Sequence, residues 1–167
     1  MLNTYSAYDK IGIDTSYYLV RWYTMKISTR GRYSLRMMID LAEHYNDEFI
    51  ALKDISERQD ISKKYLEQIV PFLNRSNLLI TYRGHMGGYK LARHPSKITI
   101  GDILLSSEGS LSPVSCVEND PNLCPRRTDC MTLPIWQGLT EVIENYLNGI
   151  TLQDILEQNM DSPEYYI

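Results

Sequence analysis

The sequence predicts a mainly α-helical protein with a small β wing, arranged as a winged helix-turn-helix domain followed by a long dimerisation helix. Three observations predict this fold. In the first half, apolar residues recur at three- and four-residue steps in successive segments, which is typical of amphipathic helices. A glycine-rich turn then separates two short strand-like runs. Further along, a broad apolar stripe indicates one more, longer helix.

The first two helices are predicted from residue 28 onward. The first begins near Thr29, with Ser28 or Thr29 available as its N-cap. Its apolar positions are Tyr33, Leu35, Met38, Ile39, Leu41 and Ala42. A short helix follows over residues 52–59, with Leu52 and Ile55 pointing inward, and it breaks at residues 60–61. Together with the next helix, this makes a candidate helix-turn-helix unit.

The third helix and the hairpin complete the predicted domain. Ser62 opens the helix, and its apolar face consists of Leu66, Ile69, Val70 and Leu73. Pro71 lies inside it and removes a backbone donor at a cost of about 3 kcal/mol, so a kink or a shortened helix is expected. Asn74, Ser76 and Asn77 supply the exit, since Asn tolerates a left-handed terminating position. Residues 78–83 and 89–92 are predicted as strands around a turn at 84–88.

A later helix is predicted to begin near Pro134. Its apolar stripe consists of Ile135, Trp136, Leu139, Val142, Ile143, Tyr146 and Leu147. A chain this small has little else with which to cover such a stripe. Thr151 should cap a last short helix over residues 152–158, with Asp154 at the capping-box position.

Charge divides the chain into three expected segments. Residues 1–24 are rich in tyrosine, contain two basic and two acidic residues, and are interpreted as an N-terminal extension upstream of a natural start at Met25. Residues 25–97, the predicted winged helix-turn-helix domain, contain 13 basic and 8 acidic residues, a net charge of +5. Residues 98–167, the cysteine loop and dimerisation region, contain 2 and 11, a net charge of -9. A basic domain of this kind favours a polyanionic partner.

Length and missing motifs exclude several classes of protein. The 167 residues, 43% of them hydrophobic, suffice for one globular domain with an appendage. An apolar run long enough to span a membrane and a secretory leader are both absent from the sequence, so a cytoplasmic protein with reduced thiols is expected. The sequence also lacks a nucleophile elbow, a phosphate-binding Gly-Lys-Ser/Thr loop and a His-Glu-x-x-His pair. An enzyme is therefore not expected.

The polar face of the third helix has the composition of a DNA-reading surface. Its first two turns contain Ser62, Lys63, Lys64, Tyr65, Glu67 and Gln68. The N-terminal part of a recognition helix meets base edges in the major groove. Gln68 can pair with adenine and Glu67 can accept from the cytosine amino group, whereas the other four suit phosphates. Arg83 and His85 at the wing could reach a minor groove. The same charges would also suit an ordinary solvated helix face.

Three cysteines lie close together, at Cys116, Cys124 and Cys130. An odd number excludes complete disulfide pairing within the chain, and the spacing lacks the Cys-x-x-Cys knuckle that is usual in structural zinc sites. Thiolates on a flexible loop suit an iron-sulfur cluster. Redox-sensing thiols without metal, or small buried side chains without a function, remain equally open from the spacing alone.

Four segments carry a resemblance to a known family. They read MKISTRGRYSLR (25–36), LKDISERQDISKKYLEQ (52–68), YRGHMGGYKL (82–91) and ITIGDIL (98–104). They resemble the IscR-type regulators of the Rrf-two family, which are dimeric winged-helix transcription factors and include CymR, a cysteine-metabolism repressor, and NsrR, a nitric-oxide sensor. The resemblance runs from Met25 to about Leu156, and the three cysteines fall in the loop where cluster-binding members place theirs.

The resemblance implies roles for individual residues. It implies DNA contacts by Lys64, Tyr65, Glu67, Gln68 and Arg83, an intact wing at Gly87, Gly88 and Tyr89, and cluster thiolates at Cys116, Cys124 and Cys130. A fourth ligand does not transfer, because Leu133 and Arg32 occupy the positions of the family's histidine and aspartate ligands. The open alternatives are Glu118, Asp120, Asp129, His44, His85, His94 or a small thiol.

The expected function is therefore that of a homodimeric transcriptional regulator that binds a pseudo-palindromic operator. Repression is favoured over activation. Cluster or redox status would control its DNA affinity, and analogy favours a two-iron, two-sulfur cluster and target genes for cluster assembly or sulfur metabolism. One alternative is a cluster-free, thiol-responsive or CymR-like repressor of cysteine metabolism. An alternative of another class is an iron-sulfur carrier or redox interaction protein without specific DNA binding.

Overall fold

The computed structural model describes residues 27–46, 48–84, 87–118 and 124–161. The expected extension at residues 1–24, together with His85 and Asp120, lies outside them. Within the described ranges, the chain forms six α-helices and one two-stranded antiparallel sheet, in agreement with the predicted fold class. The elements are α1 (Thr29–Glu43), α2 (Leu52–Gln59), α3 (Lys63–Arg75), β1 (Leu79–Tyr82), β2 (Gly88–Leu91), α4 (Ile100–Glu108), α5 (Leu133–Asn148) and α6 (Leu152–Asp161).

Helix α1 is the centre of the core and packs against α2, α3, α4 and α6. The Ser28 side chain caps its first turn by accepting from the Gly31 amide, which confirms one of the two predicted caps. The fully buried side chains of the core come from five helices and the segments next to them. They are Met37, Met38, Leu41, Ile55, Leu66, Ile69, Leu73, Leu78, Ile98, Ile103 and Leu152.

The helix-turn-helix unit has the predicted boundaries. Asp60 ends α2 in the left-handed conformation at φ 48°, and Ser62 then caps α3 by accepting from the Tyr65 amide. Of the two outcomes expected at Pro71, a kink or a shortened helix, shortening does not occur, because α3 continues to Arg75. Buried Val70 and Leu73, on either side of the proline, hold this turn against the core and offset the lost hydrogen bond.

Helix α3 ends in a Schellman motif with Asn77 in the left-handed position, which confirms the terminating role expected of its asparagines. Asn77 has a φ of 53°, and its amide donates to the Asn74 carbonyl at 3.0 Å. The Leu78 amide donates to the Leu73 carbonyl, also at 3.0 Å. Both leucines are buried, which supplies the apolar contact that accompanies this motif. The chain therefore leaves α3 in a defined direction and enters the wing directly.

The wing pairs Leu79 with Leu91 and Tyr82 with Gly88. The predicted strands were wrong at their ends: β1 is shorter by one residue at each end, and β2 begins and ends one residue earlier. The Ile50 amide and carbonyl pair with Tyr89 at 3.0 and 2.8 Å, so the segment before α2 borders β2. A side chain at Gly88 would collide with the Ile50 backbone, and this approach requires a glycine there.

Helix α4 was not predicted from the sequence. Its signal is a capping box in which Thr99 and Asp102 bond each other's backbone amides at 3.0 and 3.3 Å. It packs on α1, as α6 does, so the core also contains residues from beyond position 97. Thr151 and Asp154 form the capping box predicted for α6, which extends three residues further than expected, to Asp161.

Candidate nucleic-acid interface and cysteine loop

The first two turns of α3 present their polar side chains to solvent. Ser62, Lys63, Lys64, Glu67 and Gln68 are all exposed. Tyr65 differs from its neighbours, because it is half-buried with its ring edge-on to Tyr33 of α1 at a centroid distance of 5.3 Å. Its ring packs the first turn of α3 against α1.

Two of these side chains are loosely paired. Lys63 Nζ lies 3.9 Å from Glu67 Oε1, and both side chains are more than half exposed. An exposed pair separated by one helical turn contributes about 0.3–0.5 kcal/mol. This pairing is weak enough to exchange for contacts with a phosphate or a base edge.

A groove of about 650 Å³ separates α3 from the wing and from the first turn of α2. Its walls carry three cations, Lys53, Lys63 and Arg83, and one carboxylate, Glu67. The Thr81 hydroxyl donates to Asn74 Oδ1 at 3.1 Å and ties the wing to α3. The structure thus brings Arg83 to the same groove as Lys63 and Glu67. Lys53 was not predicted as a site residue, although a lysine in the first turn of a helix-turn-helix unit was a usable signal.

The cysteine loop connects α4 to α5. Cys116 lies in a single 3-10 turn, Ser115–Val117, that packs on α5. Cys124 begins a series of turns in which the Arg127 amide donates to the Cys124 carbonyl at 3.1 Å. Cys130 lies two residues before the N-cap of α5. All three cysteines are in the reduced form, without disulfides, and are half-buried, so each is partly exposed to metal or oxidant.

The environment of Cys130 favours its thiolate. Its Sγ lies 3.4 Å from the Thr132 hydroxyl, and that hydrogen bond is the largest cause of a lowered pKa of the thiol. The backbone amides of Thr132 and Leu133, at the start of α5, and the positive charge of Arg126 act in the same direction. The thiolate is the form that binds metal and reacts with disulfides.

The three cysteines are chemically suitable ligands for an iron-sulfur cluster, but their sulfurs do not converge on one point that a single ion could occupy. Three accessible thiols, one of them with a lowered pKa, are suitable ligands. Within the described ranges, a group of three potential ligand atoms within 4.8 Å of one another occurs at Asp40, Glu43 and His44, and the three sulfurs do not form such a group. A two-iron cluster distributes its ligands over two metal atoms and does not require that convergence.

The possible fourth ligands are not distinguished by position. Glu118 and Asp129 are exposed within the cysteine loop. His94 Nδ1 lies 2.9 Å from the Ser96 hydroxyl, and His44 Nδ1 lies 2.8 Å from the Asp40 carbonyl. Asp120 and His85, which were also considered, lie in the parts of the chain that the structure leaves undescribed.

Helix α5 exposes the apolar stripe that the sequence predicted. Ile135, Val142 and Tyr146 are 62%, 63% and 67% exposed, and none of the helix's residues is buried. Apolar surface of this extent on a single chain is characteristic of an association surface.

Comparison with known proteins identifies the family. The model of the family Rrf2, described as an iron-dependent transcriptional regulator, matches residues 27–158. This chain belongs to the Rrf2 family. Among its relatives, protein rrf2 of Nitratidesulfovibrio vulgaris is 38% identical over 79% of this chain and 87% of its own length. The HTH-type transcriptional regulator IscR of Yersinia pseudotuberculosis is 37% identical over 83% of this chain and 89% of its own.

A solved structure gives the same assignment for the fold. CymR, the global cysteine regulator of B. subtilis, superposes with a TM-score of 0.63 at 35% identity, over 80% of this chain and 97% of CymR. As a member of the Rrf2 family, the chain is a DNA-binding transcriptional regulator and not an enzyme. Among the helices described, none is long and apolar enough to cross a membrane.

Proposed function

We propose that this Rrf2 regulator acts as a homodimeric repressor that reads a pseudo-palindromic operator with α3 and responds to iron-sulfur or redox status through its cysteine loop. The observation that carries the proposal is the cation-lined groove between α3 and the wing, which joins the exposed polar turns of α3 to Arg83. The target genes would be those of cluster assembly or sulfur metabolism. This last choice rests on the family alone.

The DNA contacts would be divided between reading and positioning. Glu67 and Gln68 are exposed on α3 and can read cytosine and adenine edges. Lys63, Lys64 and Arg83, with Ser62 and Tyr65, would hold phosphates and set the register on the duplex. Because six of the eight predicted contacts lie within residues 62–68, a single major groove would receive them.

Dimerisation through α5 would supply the second half-site. Its exposed stripe is apolar, and an isologous contact with a second copy would bury it on both chains. A twofold dimer presents two copies of α3 to the same face of DNA, which explains why a pseudo-palindromic operator is expected.

The cysteine loop contacts the proposed dimerisation helix. Its turn at Ser115–Val117 packs on α5, and Cys130 lies directly before α5. A bound cluster would supply a group whose loss or oxidation reports on iron, oxygen or nitric oxide. Cys116, Cys124 and Cys130 would hold it, and ordering of their loop would favour one dimer arrangement. The response can be no larger than the difference in ligand affinity between the two arrangements.

A cluster-free thiol switch is a second candidate, and the environment of Cys130 favours it. A thiol whose pKa is lowered by Thr132 and Arg126 reacts with oxidants without a metal. The chain's likeness to CymR, described as a global cysteine regulator, supports the same possibility. The remaining alternative, a cluster carrier or redox interaction protein, would show no sequence-selective affinity for DNA.

The decisive experiment measures iron, acid-labile sulfide and operator affinity on protein purified without oxygen. Wild type should contain about two irons and two sulfides per chain. Cys124→Ala should lose both, and the exposed loop variant Thr128→Ala should retain both. The operator affinities of cluster-loaded and cluster-free wild type should differ. Metal-free wild type whose operator affinity changes on thiol oxidation would support the thiol switch, and equal affinity in every state would contradict both sensors.

A further inference from the structure

A buried carboxylate on α1 holds the end of α2. Asp40 is fully buried, and its Oδ1 accepts from Arg58 Nη2 at 2.7 Å. Its Oδ2 accepts from Arg58 Nε at 2.9 Å and from Gln59 Nε2 at 3.2 Å. All three donors belong to the last two residues of α2. The planar guanidinium of Arg58 donates two parallel hydrogen bonds to the Asp40 carboxylate. This bidentate geometry fixes both the distance and the angle between the two side chains.

The same helix end is held a second time from α1. Arg36 lies one turn before Asp40, and its Nε donates to Gln59 Oε1 at 3.2 Å. Its Nη2 also donates to the Gln59 backbone carbonyl, which is one of the carbonyls left without a helical partner at the end of α2. Asp40, Arg36, Arg58 and Gln59 form what we call the Asp40 clamp.

The clamp lies immediately before the recognition helix. Asp60 and Ile61 separate Gln59 from Ser62, the N-cap of α3, and both are held by local contacts. Asp60 occupies the left-handed conformation, and Ile61 is buried. The Ser56 hydroxyl donates to the Ile61 carbonyl at 2.6 Å, and the Ile61 amide donates to the Ser56 carbonyl at 3.2 Å. A change in the direction of α2 would therefore move the first turn of α3.

Stability gives no reason for a charged pair at this place. Asp40 is surrounded on its helix by buried Met37, Met38 and Leu41, which supply apolar packing. Removing a carboxylate from water is unfavourable, and replacing a buried ion pair with apolar residues is often neutral or stabilising. An apolar contact, however, imposes no preferred angle between the two side chains, whereas a bidentate arginine–carboxylate pair does.

We propose that Asp40 and Arg58 are positioning residues that set the orientation of α3 on the operator and thereby the sequence selectivity of DNA binding. This inference rests on the proposed function, because it takes α3 to be the helix that reads DNA. Neither residue needs to touch DNA for this role. Tyr33, whose ring meets Tyr65, is the matching contact between α1 and the first turn of α3.

The test replaces both charges at once, so that no unpaired charge stays buried. The double variant Asp40→Leu/Arg58→Met is compared with wild type by thermal unfolding. Binding is measured at one salt concentration to an operator selected by wild type from random duplexes, and to a random duplex. We expect a folded protein with a melting temperature within a few degrees of wild type or above it. The ratio of operator to random-duplex affinity should fall at least tenfold, with random-duplex binding nearly unchanged.

Arg58→Lys provides a second variant in case the double variant does not fold. Lysine keeps the positive charge but cannot form the bidentate hydrogen bonds of arginine. With α2 and α3 still folded, the ratio of operator to random-duplex affinity should fall by the same factor. Leu152→Ala is the matched control, because Leu152 is fully buried on α6, which packs on α1. It should lower the melting temperature and leave the affinity ratio at the wild-type value.

The outcomes separate this inference from the function on which it rests. Wild-type selectivity in a folded double variant, or in Arg58→Lys, would overturn the positioning role. If Lys64→Ala weakens operator binding in the same assay, the assignment of α3 stands even then. If neither Lys64→Ala nor Gln68→Ala changes binding, α3 is not the reading helix, and both proposals fail together.

Discussion

Glu108, the last residue of α4, completes the N-terminus of α1 by accepting two hydrogen bonds from Ser28. One comes from the Ser28 amide at 3.0 Å and the other from its hydroxyl at 2.8 Å. Ser28 Oγ in turn accepts from the Gly31 amide at 3.1 Å. A carboxylate is also the favourable charge at the positive end of a helix. The residue that precedes the cysteine loop is thus bonded to the start of the DNA-binding domain.

The space at Gly31 makes this contact testable by a double-mutant cycle. A Cβ at Gly31 would occupy the position of the Glu108 carboxylate and crowd Ile27. In wild type, Gly31→Ala should gain little stability, because the lost Glu108 bonds offset a helix-propensity gain of about 1 kcal/mol. In the Glu108→Ala background, the same substitution should stabilise. Urea unfolding at a fixed protein concentration measures both effects, and two equal effects would contradict the steric coupling.

The cap of α6 should make stability depend on pH. The backbone and hydroxyl hydrogen bonds from Thr151 lower the pKa of Asp154. A depressed pKa in the folded state contributes stability above the unfolded value of about 3.9, and this contribution is lost as pH falls through the folded pKa. The difference in unfolding free energy between wild type and Asp154→Asn should be constant above about pH 5 and should shrink below that. Glu144→Gln, which removes a carboxylate that caps no helix, controls for general charge effects.

Variants on α3 should separate positioning from reading. Lys64→Ala should weaken binding to all duplexes about equally and reduce the salt slope of binding by about 1, because one phosphate contact is lost. Gln68→Ala should cost about 1–3 kcal/mol and relax selectivity at a single base position. Titrations of matched operators at several salt concentrations distinguish the two patterns. A sequence-dependent effect of Lys64→Ala would reverse the assignment of this residue.

A charge in the apolar stripe of α5 should prevent dimerisation. Val142 is 63% exposed in the single chain, so Val142→Asp has little to disturb inside the fold. Sedimentation equilibrium should show a monomer for Val142→Asp and a dimer for wild type and for Glu144→Gln, which lies on another face of the helix. Operator affinity should fall when the dimer is lost, because each half-site would then be bound independently by a monomer. A Val142→Asp dimer would exclude this stripe as the interface.

Local signals were sufficient to predict most helices and their ends. Ser28, Ser62 and Thr151 were expected as caps, and each accepts from an amide within the first turn of its helix. These bonds join residues three positions apart, so the amino-acid order alone decides them. Strand ends were less accurate, because the length of β1 depends on pairing with β2. Helix α4 carried a capping box at Thr99, a signal that would have identified it.

The candidate site was predictable in composition but not in arrangement. The polar residues of α3 and the three cysteines can be read from the sequence, and their roles in contacting DNA or metal stay predictions. That Arg83 and Lys53 border one groove with Glu67 depends on how the wing folds back, which no local pattern specifies. Tyr65 was predicted as a phosphate contact, but it is half-buried and its ring packs against Tyr33 of α1.

The sequence by itself therefore determined the helices of the DNA-binding domain, its basic charge and the position of the cysteines, because these depend on periodicity, capping and composition. Only the tertiary structure decided that Asp40 meets Arg58 and that Glu108 meets Ser28. These partners are 18 and 80 residues apart in the chain. Which distant side chain reaches a buried carboxylate or an open helix end depends on the packing of whole helices around α1.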